Sequence, residues 1–311
     1  MRDAWIDGEL MGASEATVPL LSHALHYGTA VFEGVRIYET DEGPAFFRLD
    51  DHLDRLMASA DLYQLEVPYT PAELRRAAAE LVIASGLTEC YLRPIVFPAE
   101  GTMAVSPQGA RVSTAMAVWE WGPYLGADGK RQGIRAMVSS WRRLSASSVI
   151  PAAKASAHYV NSGLAKLEAQ RAGYEEAILL DCRGMVSEGS GENIFLVNDG
   201  VVSTPSPLSS ILDGITRRSV VEIAFDRGMT VLERDISRHE LYLADEVFLT
   251  GTAAELTPVR EVDGRQVGNG TPGPVTVELG RLLDEAFRGC LPRFSNWSQP
   301  VGELAAKTTS S

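Results

Sequence analysis

Only four lysines, Lys130, Lys154, Lys166 and Lys307, occur among 28 basic residues, and that scarcity narrows the search for a nucleophilic amine. Schiff-base chemistry needs an amine on a fixed backbone in a partly desolvated site. Lys130 falls in a turn-rich stretch, and Lys307 in the polar tail that ends the sequence. Lys166 sits on a predicted helix beside Glu168 and Gln170, where a solvated charge is the ordinary reading. Lys154 differs, because Pro151-Ala152-Ala153-Lys154-Ala155-Ser156-Ala157 surrounds it with small side chains just before a predicted helix. A flat aromatic ring could approach there. On these residues alone an exposed loop lysine fits equally well.

Downstream, Ser187-Glu188-Gly189-Ser190-Gly191-Glu192-Asn193 precedes the apolar strand Ile194-Phe195-Leu196-Val197. Its glycines allow tight turns and close approach. A carboxylate such as Glu188, ion-paired with a pyridine nitrogen, would keep that nitrogen protonated and make the ring an electron sink. A solvated acidic turn is the alternative. Gly214-Ile215-Thr216 opens a helix whose free N–H groups and dipole suit a phosphate. Thr250-Gly251-Thr252-Ala253-Ala254-Glu255 follows another strand and could do the same, although helix capping or a plain turn would use the same residues.

The length of 311 residues exceeds one typical core, so two unequal domains are expected. Apolar content of 45% with 22% charge is that of a globular protein, and no window reaches the roughly 18 apolar residues of a membrane span. The start Met1-Arg2-Asp3-Ala4-Trp5 does not resemble a targeting peptide, so the cytoplasm is expected. A net charge of −13 disfavours nucleic acid as partner. Three scattered cysteines suggest reduced thiols, and the five histidines, His23, His26, His52, His158 and His239, lack metal-ligand spacing; no metal is expected.

The elements that must position these groups read as α+β. Asp7-Gly8 suits a hairpin between Trp5-Ile6 and Glu9-Leu10. Strands are predicted over 30–38, 45–48, 90–97 and 112–121, with helices from about Asp50 to Leu62 and from the capping box Thr70-Pro71-Ala72-Glu73 to near Gly86. The turn formers after Trp121 mark an interdomain loop, which places a small α+β domain at 1–121, the loop at 122–132 and a large domain at 133–311. In the large domain, strands at 134–141, 177–181 and 194–197 alternate with helices at 158–172 and 216–226, and a box at Ser237-Arg238-His239-Glu240 starts a short helix.

Several ordered motifs run through the whole chain: His23-Ala24-Leu25-His26-Tyr27-Gly28-Thr29-Ala30-Val31-Phe32-Glu33-Gly34, Tyr91-Leu92-Arg93-Pro94, and Ala153-Lys154-Ala155 with Tyr159. After them come Ser187 to Asn193, Gly214-Ile215-Thr216-Arg217, Leu243-Ala244-Asp245-Glu246 and Gly251-Thr252-Ala253-Ala254-Glu255. Together, from about Trp5 to Phe287, they resemble the branched-chain aminotransferase group of fold-type IV pyridoxal-phosphate enzymes. The resemblance implies a two-domain architecture like that of D-amino-acid aminotransferase, and pyridoxal 5'-phosphate as cofactor. By it, Lys154 forms the Schiff base and shuttles the substrate proton, Tyr159 donates to the ring hydroxyl, and Glu188 pairs with the ring nitrogen. Arg55, Ile215, Thr216 and Thr252 would hold the phosphate. Phe32, Gly34, Trp121 and Ala253 would line the substrate pocket, with Tyr27 and Val105 reaching in from a second subunit. Tyr91, Thr252 and Ala253 would take the α-carboxylate, and Arg93 with Tyr124 the distal carboxylate of glutamate.

The implied activity is ping-pong amine transfer between L-leucine, L-isoleucine or L-valine and 2-oxoglutarate, by a homodimer or an assembly of dimers. Small amino acids and 2-oxo acids are the expected partners, with neither nucleic acid nor membrane. Ser156-Ala157-His158 stands where members often carry Gly-Gly-Asn, and Ala104 where glycine is frequent; both departures bear on substrate range. Rivals of the same fold are a D-amino-acid or (R)-amine transaminase and an aminodeoxychorismate lyase. A non-catalytic ligand-binding protein is the reading from another class. Without the resemblance, Phe32, Tyr91 and Trp121 would be core aromatics and Arg55 a solvated helix residue.

Overall fold

The computed structural model describes residues 3–122 and 125–306. The chain divides into two compact units: the first comprises 1–121, 153–157 and 285–311, the second 122–152 and 158–284. Neither unit is one continuous stretch of chain, because the lysine segment and the C-terminal segment cluster with the first.

The first unit is built from β1 (Ala4–Ile6), β2 (Glu9–Met11), α1 (His23–Tyr27), β3 (Val31–Phe32), β4 (Val35–Thr40), β5 (Gly43–Phe47), α2 (Leu49–Leu62), α3 (Pro71–Ser85), β6 (Cys90–Glu100) and β7 (Arg111–Trp119). Its sheet has the order Ser298–Pro300, β5, β4, β6, β7, β1, β2, with β3 also on β6, and every pairing is antiparallel. Asp7 and Gly8 both adopt positive φ, which gives the twist a two-residue hairpin needs. The helix α3 carries the expected capping box, with Thr70 and Glu73 each satisfying the other's backbone N–H. Leu49, Leu53, Leu56 and Ala60 put one face of α2 into a core with Val35, Ile37, Leu92 and Met116.

The strand expected over 30–38 is two strands. β3 and β4 lie in one continuous register on β6, Phe32 opposite Ile95 and Val35 opposite Leu92. Glu33 therefore faces Pro94, to which it donates a 2.8 Å hydrogen bond. An antiparallel pair of this kind normally exchanges two bonds, but proline has no N–H to return, and the ladder breaks. The strand expected at 45–48 likewise stops at Phe47, because Arg48 turns into the left-handed region (φ 54°) to begin α2.

Residues 153–157 run antiparallel to 28–32. Phe32 N donates to Lys154 O, Ser156 N to Ala30 O, and Ala157 N to Gly28 O, at 3.0, 2.8 and 3.1 Å. Backbone bonding, rather than sequence order, thus assigns the lysine to the first unit.

The second unit contains α4 (Ala127–Gln132), β8 (Ile134–Arg142), α5 (His158–Arg171), β9 (Glu176–Leu180), β10 (Val186–Gly189), β11 (Asn193–Asn198), β12 (Val201–Thr204), α6 (Ile215–Asp226), β13 (Val231–Glu233), α7 (Glu240–Leu243), β14 (Glu246–Gly251), β15 (Glu255–Val262), β16 (Arg265–Gln266) and most of α8 (Pro274–Phe287). The sheet order is β10, β9, β8, β15, β14, β11, β12, β13, with β16 on β15. β8 pairs in parallel with both β9 and β15, whereas β11, β14 and β15 form an antiparallel run. The expected loop at 122–132 contains α4, held by Lys130, whose Nζ lies 2.6 Å from Glu255 Oε2 and 2.9 Å from Asp284 Oδ1.

Lys166 is not the solvated charge expected of it. Its Nζ donates to Glu176 Oε2 at 2.5 Å and to the Glu175 carbonyl at 2.7 Å. Glu176 is fully buried, and a buried carboxylate requires a cationic partner. Among the described residues no helix is long and apolar enough to cross a membrane.

Candidate active site

Each unit carries one group of the predicted residues. In the first, α2 presents His52, Arg55 and Ser59 on successive turns of one face. His52 and Ser59 are buried there with the leucines. Ser59 Oγ accepts the backbone N–H of Lys154 at 3.1 Å, so α2 helps fix the lysine. Ala153 and Ala155 on either side of Lys154 are buried, and the Lys154 ammonium stands 5.2 Å from the centre of the Phe32 ring. Ser156, one of the departures from the family pattern, donates from Oγ to the Gly28 carbonyl at 2.7 Å and ties down the same segment.

Arg55 is not a solvated helix arginine. Its Nε and Nη2 donate to Glu33 Oε1 and Oε2 at 2.6 and 3.0 Å, and His52 Nδ1 donates to Oε2 at 2.7 Å. Burial would raise the pKa of Glu33, but Arg55 and His52 outweigh it and hold the carboxyl well below the usual range. Burial lowers the pKa of His52 against the opposing pull of Glu33, so the imidazole is neutral and gives its single N–H to the carboxylate.

On β6, Tyr91 and Arg93 share a face, as the period of two requires. The Arg93 guanidinium lies 4.7 Å from the Phe32 ring centre, 5.4 Å from Tyr91 and 5.7 Å from Trp119. Its Nε is buried with no hydrogen-bond partner among the described residues. Trp121 packs edge-on against Tyr91 with centroids 4.5 Å apart. Gly34 meets the tyrosine so closely that a Cβ there would fall 1.7 Å from Tyr91 Oη.

In the second unit, Glu188 lies buried in β10, which rules out the solvated turn. Its Oε2 accepts from Leu212 N at 2.9 Å and from Asn193 Nδ2 at 3.2 Å. Arg143 Nε stands 2.7 Å from Oε1 but off the N–H axis, so that contact is ionic rather than a directed hydrogen bond. Asn193 also donates to the Leu212 carbonyl at 2.8 Å, joining β11 to the loop that leads into α6. Gly214 caps α6 with no side chain, leaving the first-turn N–H groups of Ile215 and Thr216 without a side-chain cap. Thr252 and Ala253 follow β14, where a Cβ at Gly251 would come 3.4 Å from the Gly191 carbonyl, so the two glycine loops abut. Tyr159, half-buried, occupies the first turn of α5.

Tyr27 and Val105 belong to an exposed apolar region of the first unit. Tyr27 Oη donates to the Met103 carbonyl at 3.0 Å, and His23 Nε2 bonds the Ala104 carbonyl at 2.8 Å, pinning the 101–105 loop to α1. Tyr124 lies outside the described residues, as does the tail 307–311. Sequence reasoning passed over Glu33, His52, Ser59 and Arg143 as site residues. One signal was available for two of them, since 52 and 59 are polar positions on the apolar stripe of α2.

Each unit by itself offers groups of the kind a phosphorylated aldehyde ring needs: the first an amine between small residues, the second a twelve-residue helix with no side-chain cap and a buried carboxylate. The model of the class IV amino-transferase family matches residues 30–262, and the chain belongs to that family. The branched-chain-amino-acid aminotransferase of Salmonella typhimurium is 46% identical, covering 96% of each chain. The crystal structure of the Escherichia coli branched-chain amino acid aminotransferase superposes with a TM-score of 0.94 at 45% identity, covering 96% of this chain and 99% of that one. That of the T.th. branched-chain amino acid aminotransferase with pyridoxamine 5'-phosphate gives 0.93 at 46%, covering 96% and 98%.

Proposed function

We propose that the protein is a pyridoxal-phosphate-dependent aminotransferase that moves the amino group between L-branched-chain amino acids and 2-oxoglutarate. The observation that carries the substrate class is Arg93, a guanidinium bracketed by Phe32, Tyr91 and Trp119 whose buried Nε has no hydrogen-bond partner among the described residues. Rings supply the apolar wall that a branched side chain needs, and the cation supplies a partner for a distal carboxylate.

Lys154 would hold the cofactor through Nζ, Arg55 with Ile215, Thr216 and Thr252 its phosphate, Tyr159 its ring hydroxyl, and Glu188 its ring nitrogen. Bound pyridoxal phosphate supplies an electron sink for the breaking Cα–H bond. Lys154 Nζ takes the proton from substrate Cα and later returns it. Tyr91, Thr252 and Ala253 bind the α-carboxylate, and Arg93 with Tyr124 the distal one, while Phe32, Gly34, Trp121 and Ala253 exclude water from the side chain. Tyr27 and Val105 complete the pocket of a second copy, which makes the enzyme a homodimer or an assembly of dimers. The unpaired cysteines Cys90, Cys182 and Cys290 suit a reducing compartment, in keeping with the cytoplasm.

A panel of amino donors, each as both enantiomers, tests the reading with 2-oxoglutarate as acceptor. Turnover of L-leucine, L-isoleucine and L-valine well above their D-forms and above (R)-amines is expected. Preference for D-substrates or (R)-amines, or pyruvate release from aminodeoxychorismate, would replace it with one of the rivals.

A further inference from the structure

We infer that Glu33 is a positioning residue for cofactor affinity, holding Arg55 in the orientation that grips the phosphate. The inference rests on the reading of Arg55 as a phosphate ligand.

Glu33 is fully buried between Phe32 and Gly34, at the break where β3 gives way to β4. Its N–H is fixed by Pro94 O, and its Oε2 also accepts the N–H of Gly34 at 3.2 Å. The carboxylate is therefore anchored by its own strand before α2 contributes anything. Arg55 meets it side-on, through Nε and Nη2. A guanidinium is planar, so occupying that edge sets the plane and aims the adjoining edge, formed by Nη1 and the second Nη2 hydrogen. His52, one turn earlier on α2, donates to the same Oε2 and prevents the carboxylate from rotating away.

The sign of the effect separates positioning from simple charge balance. A nearby anion weakens the field that Arg55 offers a phosphate, so deleting it should tighten phosphate binding if Glu33 were only a counter-ion. If Glu33 orients the guanidinium, deleting it frees a long side chain that binding must order again, and affinity falls.

The test is the dissociation constant of apoenzyme for pyridoxal 5'-phosphate and for pyridoxal, which lacks the phosphate, followed by absorbance in wild type, Glu33→Gln, Arg55→Ala and the double variant. Glu33→Gln is expected to weaken pyridoxal phosphate about tenfold or more while leaving pyridoxal within about twofold. In the Arg55→Ala background the same change should cost nothing further. If Arg55→Ala leaves pyridoxal phosphate affinity unaltered, the Arg55 reading itself fails. If Arg55→Ala weakens it but Glu33→Gln does not, or tightens it, only the role of Glu33 is overturned. Equal losses for both ligands would likewise overturn it, since general damage does not distinguish them. Should Glu33→Gln not fold, Glu33→Asp keeps the charge, retracts it by one methylene, and is judged by the same ratio.

Discussion

Arg93 joins two kinds of chemistry in one side chain: its aromatic surroundings are apolar, yet it carries a charge and a buried Nε–H with no acceptor among the described residues. Losing one member of a buried ion pair typically costs ~2–5 kcal/mol, whereas an aliphatic substrate forms no such pair. Arg93→Met is therefore expected to slow the glutamate and 2-oxoglutarate half-reaction more than tenfold beyond the leucine half-reaction, read by single-turnover absorbance of the cofactor. Equal losses would give Arg93 the α-carboxylate or a structural role instead. A second prediction concerns Glu192, whose pKa is pushed up to about 8 by burial and then by the nearby Glu176 carboxylate, against the pull of Lys166. The folded protein thus keeps a proton that the unfolded chain loses above about 4.5, and stability should fall as pH rises from there to about 8, then level off. Glu192→Gln should remove that part of the slope in apoenzyme melting curves. An unchanged difference between about pH 6 and about pH 8.5 would show that Glu192 ionises normally.

Among the elements, α2 and the broken β3–β4 strand do most of the positioning. His52, Arg55 and Ser59 reach Glu33 and the Lys154 backbone from a helix whose other turns hold the core. The break, in turn, sets Gly34 against Tyr91. Gly34→Ala would place a methyl group 1.7 Å from Tyr91 Oη and 2.5 Å from Cζ, and a rigid phenol can yield only by swinging as a whole. The expected result is a folded protein with catalytic efficiency down on the order of a hundredfold, since displacement of a positioning group by about 1 Å costs that much. Near-normal efficiency with an intact melting temperature would show that Tyr91 has room to move. This juxtaposition is not legible in the sequence. Gly34 and Tyr91 are far apart along the chain, and their proximity follows from a register that Pro94 interrupts without shifting.

For the molecule as a whole, the exposed apolar side chains of the first unit need an explanation. Leu20 is 76% exposed, Leu25 63% and Val105 81%, and a monomer that leaves such groups in water forgoes their burial. Sedimentation analysis is expected to find a dimer or a multiple of it, weakened by Val105→Asp. A wild-type monomer at assay concentration would remove Tyr27 and Val105 from the proposed pocket.

The amino-acid sequence by itself determined the hairpin at Asp7-Gly8, the boxed start of α3 and the helix beginning at Gly214. All of these depend on local steric and hydrogen-bonding preferences, which a linear string contains. It also carried the motifs that place the chain in its family. Tertiary structure alone decided which neighbours those residues acquire. It put Lys154 beside β3 through backbone bonds to residues 28–32, converted Lys166 from a surface charge into the partner of a buried Glu176, and drew Glu33, His52 and Arg55 into one cluster. Glu33 and Arg55 stand twenty-two positions apart, and Lys166 and Glu176 are separated by a turn between α5 and β9. Burial creates the demand for a partner and the fold's topology selects which one answers it, so neither is written in the spacing of the residues.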